Sequence, residues 1–211
     1  MAPSGQKARF QANTAAIRLA RTLVAEDRAA TAEEQQVLAR WSSWGALPDV
    51  FDAAKDGWDA ERAELRALLD EAEWDAAART TINAHYTDPL IVRQMWRAMS
   101  ALGFAGGAVL EPGSGAGTFI GLAPATAQMT GVELDPVTAA ISQGLYPHAT
   151  IRAESFADTR LPEAYFDAAI GNVPFAGIVL HDPVHNGTKQ TMHNHFILKS
   201  LRLTRPGGLV A

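Results

Sequence analysis

"VLEPGSGAGTF", Val109 to Phe119, is the stretch that decides the fold. A short apolar run leads into Gly113, Gly115 and Gly117, and a helix-compatible segment follows. That is the order strand, turn, helix. Glycines let a backbone turn sharply and come close to a ligand. A dinucleotide fingerprint would read G-x-G-x-x-G. Here the third glycine comes one residue early and position 118 is Thr. No Gly-Lys-Ser/Thr follows, which excludes a P-loop. Glu111 stands just before the glycines, where it would repel a pyrophosphate and suit a positive amino group.

The next strand, within "TGVELDP", ends at Glu133, 20 residues after Gly113. In a doubly wound sheet that position abuts the first glycine loop, and a carboxylate there can take both hydroxyls of a ribose. Loop and acids together describe a nucleoside that carries an ammonium group and no phosphates. S-adenosylmethionine is such a molecule. The plain alternative is an ordinary strand-turn-helix with solvent-facing acids, and the loop alone would not exceed it.

Working outward, "GAVLEPG", "TGVELDP", "ATIRAES" and "YFDAAIGN" read as buried strands, and "GGLVA" as the start of a fifth. Helical stretches separate them, the last being "TMHNHFILKSLRLTRPGG". Alternation of this kind predicts an α/β fold with a parallel sheet and right-handed crossovers. "DPLIVRQMWRAMSALG" has Asp88 at the N-cap, Pro89 at the first helical position and Gly103 just past the end. Residues 1–80 have no strand-like alternation and predict a helical unit. Thr31–Glu34 and Asp70–Glu73 each resemble a capping box. "WSSWGALPDVF" is a turn whose aromatics are expected to pack that unit's core. The domain division is thus 1–80 and 81–211.

Bulk properties bound the rest. The chain has 211 residues, 47% apolar and 19% charged, which suits one substantial core. No apolar run approaches the ~18 residues of a membrane span. The N-terminal stretch has no apolar signal-peptide core. The absence of cysteine excludes disulfides and thiolate metal sites, and fits a cytoplasmic protein. The net charge is −5. A domain that holds a duplex by itself is usually basic, so any grip on DNA is expected largely from another region or partner.

"LEPGSGAGTF", "GVELDP", "FDAAIGNVPF" and "RPGGLVA" resemble the motifs of class I methyltransferases. More narrowly, they resemble the amino-methylating DNA adenine methyltransferases, in the subgroup of plasmid- and phage-borne methylase-helicase proteins. "NAHYTDP" and "EEQQVLARWSSWGALPDVFD" resemble that subgroup's cofactor motif and helical leader. The resemblance implies a Rossmann-like sheet of order 3-2-1-4-5. It lacks two further strands, because the chain stops at Ala211 as its fifth strand begins. It implies S-adenosylmethionine as cofactor, the N6 amine of adenine in DNA as acceptor, and a setting in restriction-modification and mobile elements. Close relatives act on a glutamine amide or on guanine N2, and a truncated domain that binds cofactor without turnover is the non-enzymatic alternative.

The same resemblance assigns the site. Tyr86 and Thr87 serve the cofactor's methionine end. Glu111, Pro112, Gly113, Gly115, Gly117 and Phe119 form the glycine-loop wall, and Glu133 takes the ribose. Leu134 and Phe156 are apolar faces for the adenine, or plain core, and Glu154 or Ser155 supplies its polar contact. Asn172, Val173, Pro174 and Phe175 match the Asn-Pro-Pro-Tyr/Phe acceptor motif, with Val173 replacing the first proline, and Asn172 borders the cofactor. The Asn172 side-chain oxygen and the carbonyl of residue 173 accept hydrogen bonds from the amine's two N–H groups, and Phe175 stacks on the flipped base. His181, His185, His193 and His195 invite a metal reading. The spacing opposes it, because His193 and His195 point to different faces of a helix. They are expected to be polar helix and loop residues. The polar segment from Ala176 to Gln190 is expected to be a mobile loop that could close over substrate.

Overall fold

Side-chain hydrogen bonds cap the start of two of the leader's helices. The structure, a computed structural model, describes residues 2–83 and 87–211. Helix α1 spans Gln6–Ala25 and α2 Ala32–Leu38. At α2 the capping box forms in full: Glu34 N donates to Thr31 Oγ1 and Thr31 N to Glu34 Oε2. Helices α3, Asp59–Leu68, and α4, Glu71–Asn83, follow. Asp70 and Glu73 exchange the same pair of bonds before α4.

Aromatic rings pack together in this unit's interior, with Trp44 tilted or edge-on to Phe10, Trp41 and Phe51 at 5.5–6.4 Å. Such pairs add about 0.5–1.5 kcal/mol each beyond their burial. Asn13 is fully buried, and its amide bonds Ser43 O and Ser42 N, which pins the Trp-Ser-Ser-Trp turn to α1.

Contacts divide the chain into Met1–Tyr86 with Asp135–Pro147, and Thr87–Leu134 with His148–Ala211. Helix α5 spans Pro89–Ala101, α6 Thr118–Gly121 and α7 Pro136–Leu145. So α7 packs within the leader's unit, on α1 and α2, where Gly144 faces Leu38 and Leu23. A composition boundary near residue 80 carries no sign of this.

The second unit holds a parallel sheet. Its strands are β1 Gly107–Pro112, β2 Ala127–Glu133, β3 Thr150–Ala153, β4 Phe166–Ala169 and β5 Thr204–Val210. The order is β3-β2-β1-β4-β5, with every pair parallel. The connection order reverses at β1, which lies between β2 and β4. In open α/β sheets ligands bind at the strand carboxyl ends beside that point. Helix α8, Met192–Leu203, packs on β1, β4 and β5. Phe156, Phe166, Phe196, Leu110, Val132 and Leu203 form the core there.

Strand β5 starts earlier than the expected Gly207. Pro206 cannot donate within a helix and disfavours helical φ/ψ at Arg205. Thr204 Oγ1 instead caps back onto Ser200 O at 2.8 Å, and the chain turns extended at once. Among the described residues no helix is long and apolar enough to cross a membrane.

Candidate active site at the switch point

The glycine loop leaves β1 with Gly113, Gly115 and Gly117 all at positive φ, 69°, 53° and 77°. Side chains other than glycine rarely adopt that backbone. Gly113 N and Ser114 N both donate to Val132 O, which ties the loop to the end of β2. Gly113 is also closely covered. A Cβ there would stand 3.3 Å from Pro174 Cδ and 3.5 Å from Phe196 Cε1. The loop and the Asn172–Phe175 segment, 61 positions apart at Gly113 and Pro174, therefore touch.

Glu111 is buried at the strand end. Burial pushes its pKa well up, and the nearby Glu133 charge adds to this; the N–H groups of Ile120 and Phe119 bond the carboxyl and oppose the shift. Its Oε2 has no hydrogen-bond partner. A buried carboxyl oxygen without a donor is costly, and such atoms call for an explanation. Because the folded pKa is raised, this group's stabilisation is complete below its unfolded value near 4.3 and is lost as pH rises. Glu111→Gln should therefore match the parent chain in urea denaturation near pH 4 and exceed it at pH 8. An unchanged difference across that range would show that Glu111 does not titrate as described.

Glu133 is half-buried and accepts a hydrogen bond from Gly115 N at 2.8 Å. Its carboxylate thus braces the glycine loop directly. Pro112 and Phe119 are buried, and Phe119 O accepts from Trp96 Nε1 at 3.0 Å. Leu134 is 71% exposed and available as a face. Phe156 is only 3% exposed and packs at 4.8 Å on Phe196, so it is core and offers no open ring face. Glu154 is paired with Arg152 at 2.5 Å, and Ser155 Oγ accepts from Ala157 N. Thr87 is half-buried, and Tyr86 lies outside the described residues.

The last ladder bond of β4 is Gly171 N to Ala211 O, so Asn172 is the first residue released from the sheet. Asn172 is exposed, Val173 and Pro174 are half-buried, and Phe175 is 70% exposed. This places an amide and an aromatic ring at the solvent-facing end of β4, beside the glycine loop.

His193 and His195 lie in α8 and His181 and His185 in the segment before it; His195 and Lys199 are fully buried, as is the Asp182 side chain they share. Asp182 Oδ2 accepts from Lys199 Nζ at 2.9 Å and from His195 Nε2 at 3.0 Å. Its Oδ1 accepts from Val184 N and His185 N. Lys199 also donates to the carbonyls of Phe156, Ala157 and Thr159. Burial alone would raise the Asp182 pKa, but these donors bring it well below the carboxylate range. Burial lowers the His195 pKa, against the pull of Asp182. Asp182 thus ties the segment from Ala176 to Gln190 to α8 at its centre. The missed signal is spacing: His195, Lys199 and Leu203 recur at i, i+4, i+8 on the buried stripe of α8. Among the described residues no cluster of three or more His, Asp or Glu could hold a metal ion.

No family model matches the chain. Among curated proteins it is 29% identical over 154 residues to Defense against restriction protein B of Escherichia phage P1. That match takes in 70% of this chain and spans only 7% of the relative's length. Among solved structures it is similar to the type I restriction-modification system methyltransferase subunit from Streptococcus thermophilus. The TM-score there is 0.51 at 15% identity, over 72% of this chain and 42% of that one. Streptomyces venezuelae DesVI is similar at TM-score 0.43 and 17% identity, over 58% of this chain and 48% of that one. The β3-β2-β1-β4-β5 sheet, with its glycine loop at the switch point, is a Rossmann-like class I methyltransferase fold.

Proposed function

We propose that the chain is an S-adenosylmethionine-dependent methyltransferase acting on the N6 amine of adenine in DNA. One observation carries the reading: exposed Asn172 and Phe175 flank Pro174, which packs over Gly113 of the glycine loop. Acceptor motif and cofactor loop are therefore adjoining surfaces. The names of the two relatives, one a defence against restriction and one a restriction-modification methyltransferase subunit, support DNA as the acceptor.

The residues present fit the cofactor. The buried Glu111 oxygen that lacks a donor suits an ammonium group, and Glu133 at the end of β2 suits a ribose. When bound, the cofactor supplies an electrophilic sulfonium methyl. The chain's residues do the positioning, which is the main service such a displacement needs. An exocyclic amine on adenine is a poor nucleophile because its lone pair is delocalised into the ring. The Asn172 side-chain oxygen and the Val173 carbonyl would accept hydrogen bonds from its two N–H groups and draw the nitrogen toward a tetrahedral, nucleophilic geometry. Phe175 would hold the base by stacking. Val173 loses the fixed φ of proline but keeps the carbonyl.

Transfer of a labelled methyl group to DNA, to a glutamine-containing protein and to RNA, compared side by side, tests the reading. Label in DNA alone, recovered as N6-methyladenine by mass spectrometry, is the expected result; label only in protein or RNA would overturn it. Glu133→Ala should weaken cofactor binding by about 1.5–3 kcal/mol for each charged hydrogen bond lost. Calorimetry with unchanged affinity would remove Glu133 from the site.

A further inference from the structure

Phe175 is 70% exposed, yet its ring does not stand alone. It stacks on the His193 imidazole, with centroids 5.7 Å apart and planes at 29°. The backbone brings the two rings together. Met192 N donates to Ile178 O at 2.9 Å, and Val179 and Thr191 form an antiparallel bridge. The segment between is held by Asp182 through Lys199 and His195 of α8. This closure sets Phe175, just before it, beside His193, just after it. Thr191 occupies the N-cap of α8 but makes no side-chain capping bond. Its hydroxyl instead lies 3.5 Å from His193 Nδ1. The same helix presents Phe196 to Gly113. One rigid element thus borders the glycine loop and backs the exposed ring.

We infer that His193 is a positioning residue for a planar acceptor: it holds one face of Phe175 so that the other face is offered to a flat, amine-bearing ring. The inference rests on the proposed function and adds a residue to it. An exposed phenylalanine with no neighbour samples several rotamers, and a substrate must then select one of them. A ring already held in place lowers that ordering cost. Stacked aromatic pairs are worth about 2–12-fold in an equilibrium constant. The effect falls on capture of the acceptor and much less on the transfer step, because His193 acts through Phe175.

The test is steady-state methyl transfer to adenine-containing DNA by the parent chain, His193→Ala and His193→Phe, with cofactor affinity measured by calorimetry. His193→Ala should raise KM for DNA about 3–10-fold, lower kcat by less, and leave the cofactor Kd in place. His193→Phe should restore KM, since it stacks but has no ring nitrogen. An unchanged KM in His193→Ala, or no rescue by His193→Phe, overturns the inference and leaves the proposed function standing. A parent chain that binds cofactor but methylates no acceptor overturns both.

Discussion

Asn172→Ala is expected to cut methyl transfer by about 10²–10³-fold, while cofactor affinity moves little. Removing one preorganised hydrogen-bonding group aimed at the reacting centre costs on that order. Strand β4 ends its ladder at Gly171, and Asn172 emerges exposed with no part in the sheet's core. The fold can therefore lose its amide at little structural cost, and a loss of rate would report on chemistry. The alanine variant keeps Pro174 over Gly113, so the glycine loop should remain in shape. Labelled transfer at saturating cofactor, with calorimetry alongside, gives both quantities. Transfer within about threefold of the parent rate would remove Asn172 from the acceptor site.

The largest stability effect is expected at Asp182. Asp182→Asn should destabilise the chain by about 3–5 kcal/mol, because it leaves the Lys199 ammonium buried without a counter-charge. Removing the lysine as well should not recover the loss. Buried ion pairs can often be replaced by apolar groups at no cost, but Lys199 also satisfies the carbonyls of Phe156, Ala157 and Thr159. Each orphaned acceptor would cost about 1–3 kcal/mol. The pH dependence has a definite sign. The folded-state pKa of Asp182 is depressed, so its stabilisation is present above the unfolded value near 3.9 and is lost as pH falls through the folded one. His195 adds to this acid lability, since its lowered pKa means that the unfolded chain binds the proton more readily below about 6.5. Guanidinium denaturation of both chains at pH 7, pH 4 and lower should show the difference holding down to about pH 4 and shrinking below it. A midpoint for Asp182→Asn equal to the parent's at pH 7 would show that the network adds nothing to stability.

What could be read from the residues alone is what depends on near neighbours in sequence. Thr31 with Glu34, Asp70 with Glu73, and Asp88 before Pro89 act over two or three positions, and each forms the bond its spacing implies. The glycine loop is legible for the same reason, since its positive φ angles are a local demand that glycine meets. The alternation of strands and helices then leaves few sheet orders, and the observed one is among them. Burial of polar residues was not legible. His195 and Lys199 look like the solvent face of α8, because a charged or polar side chain belongs there unless partners offset its desolvation. The partners are Asp182, 13 and 17 positions away, and carbonyls 40 to 43 positions away. Phe156 became core, and α7 joined the leader's unit, through contacts of the same long reach. By itself the sequence determined the elements, their order and the glycine loop at the switch point, because those follow from backbone geometry and hydrogen bonds a few residues apart. Only the tertiary structure decided which polar groups are buried, that Pro174 covers Gly113 and that His193 backs Phe175, because such contacts form between segments that meet only once the sheet has closed.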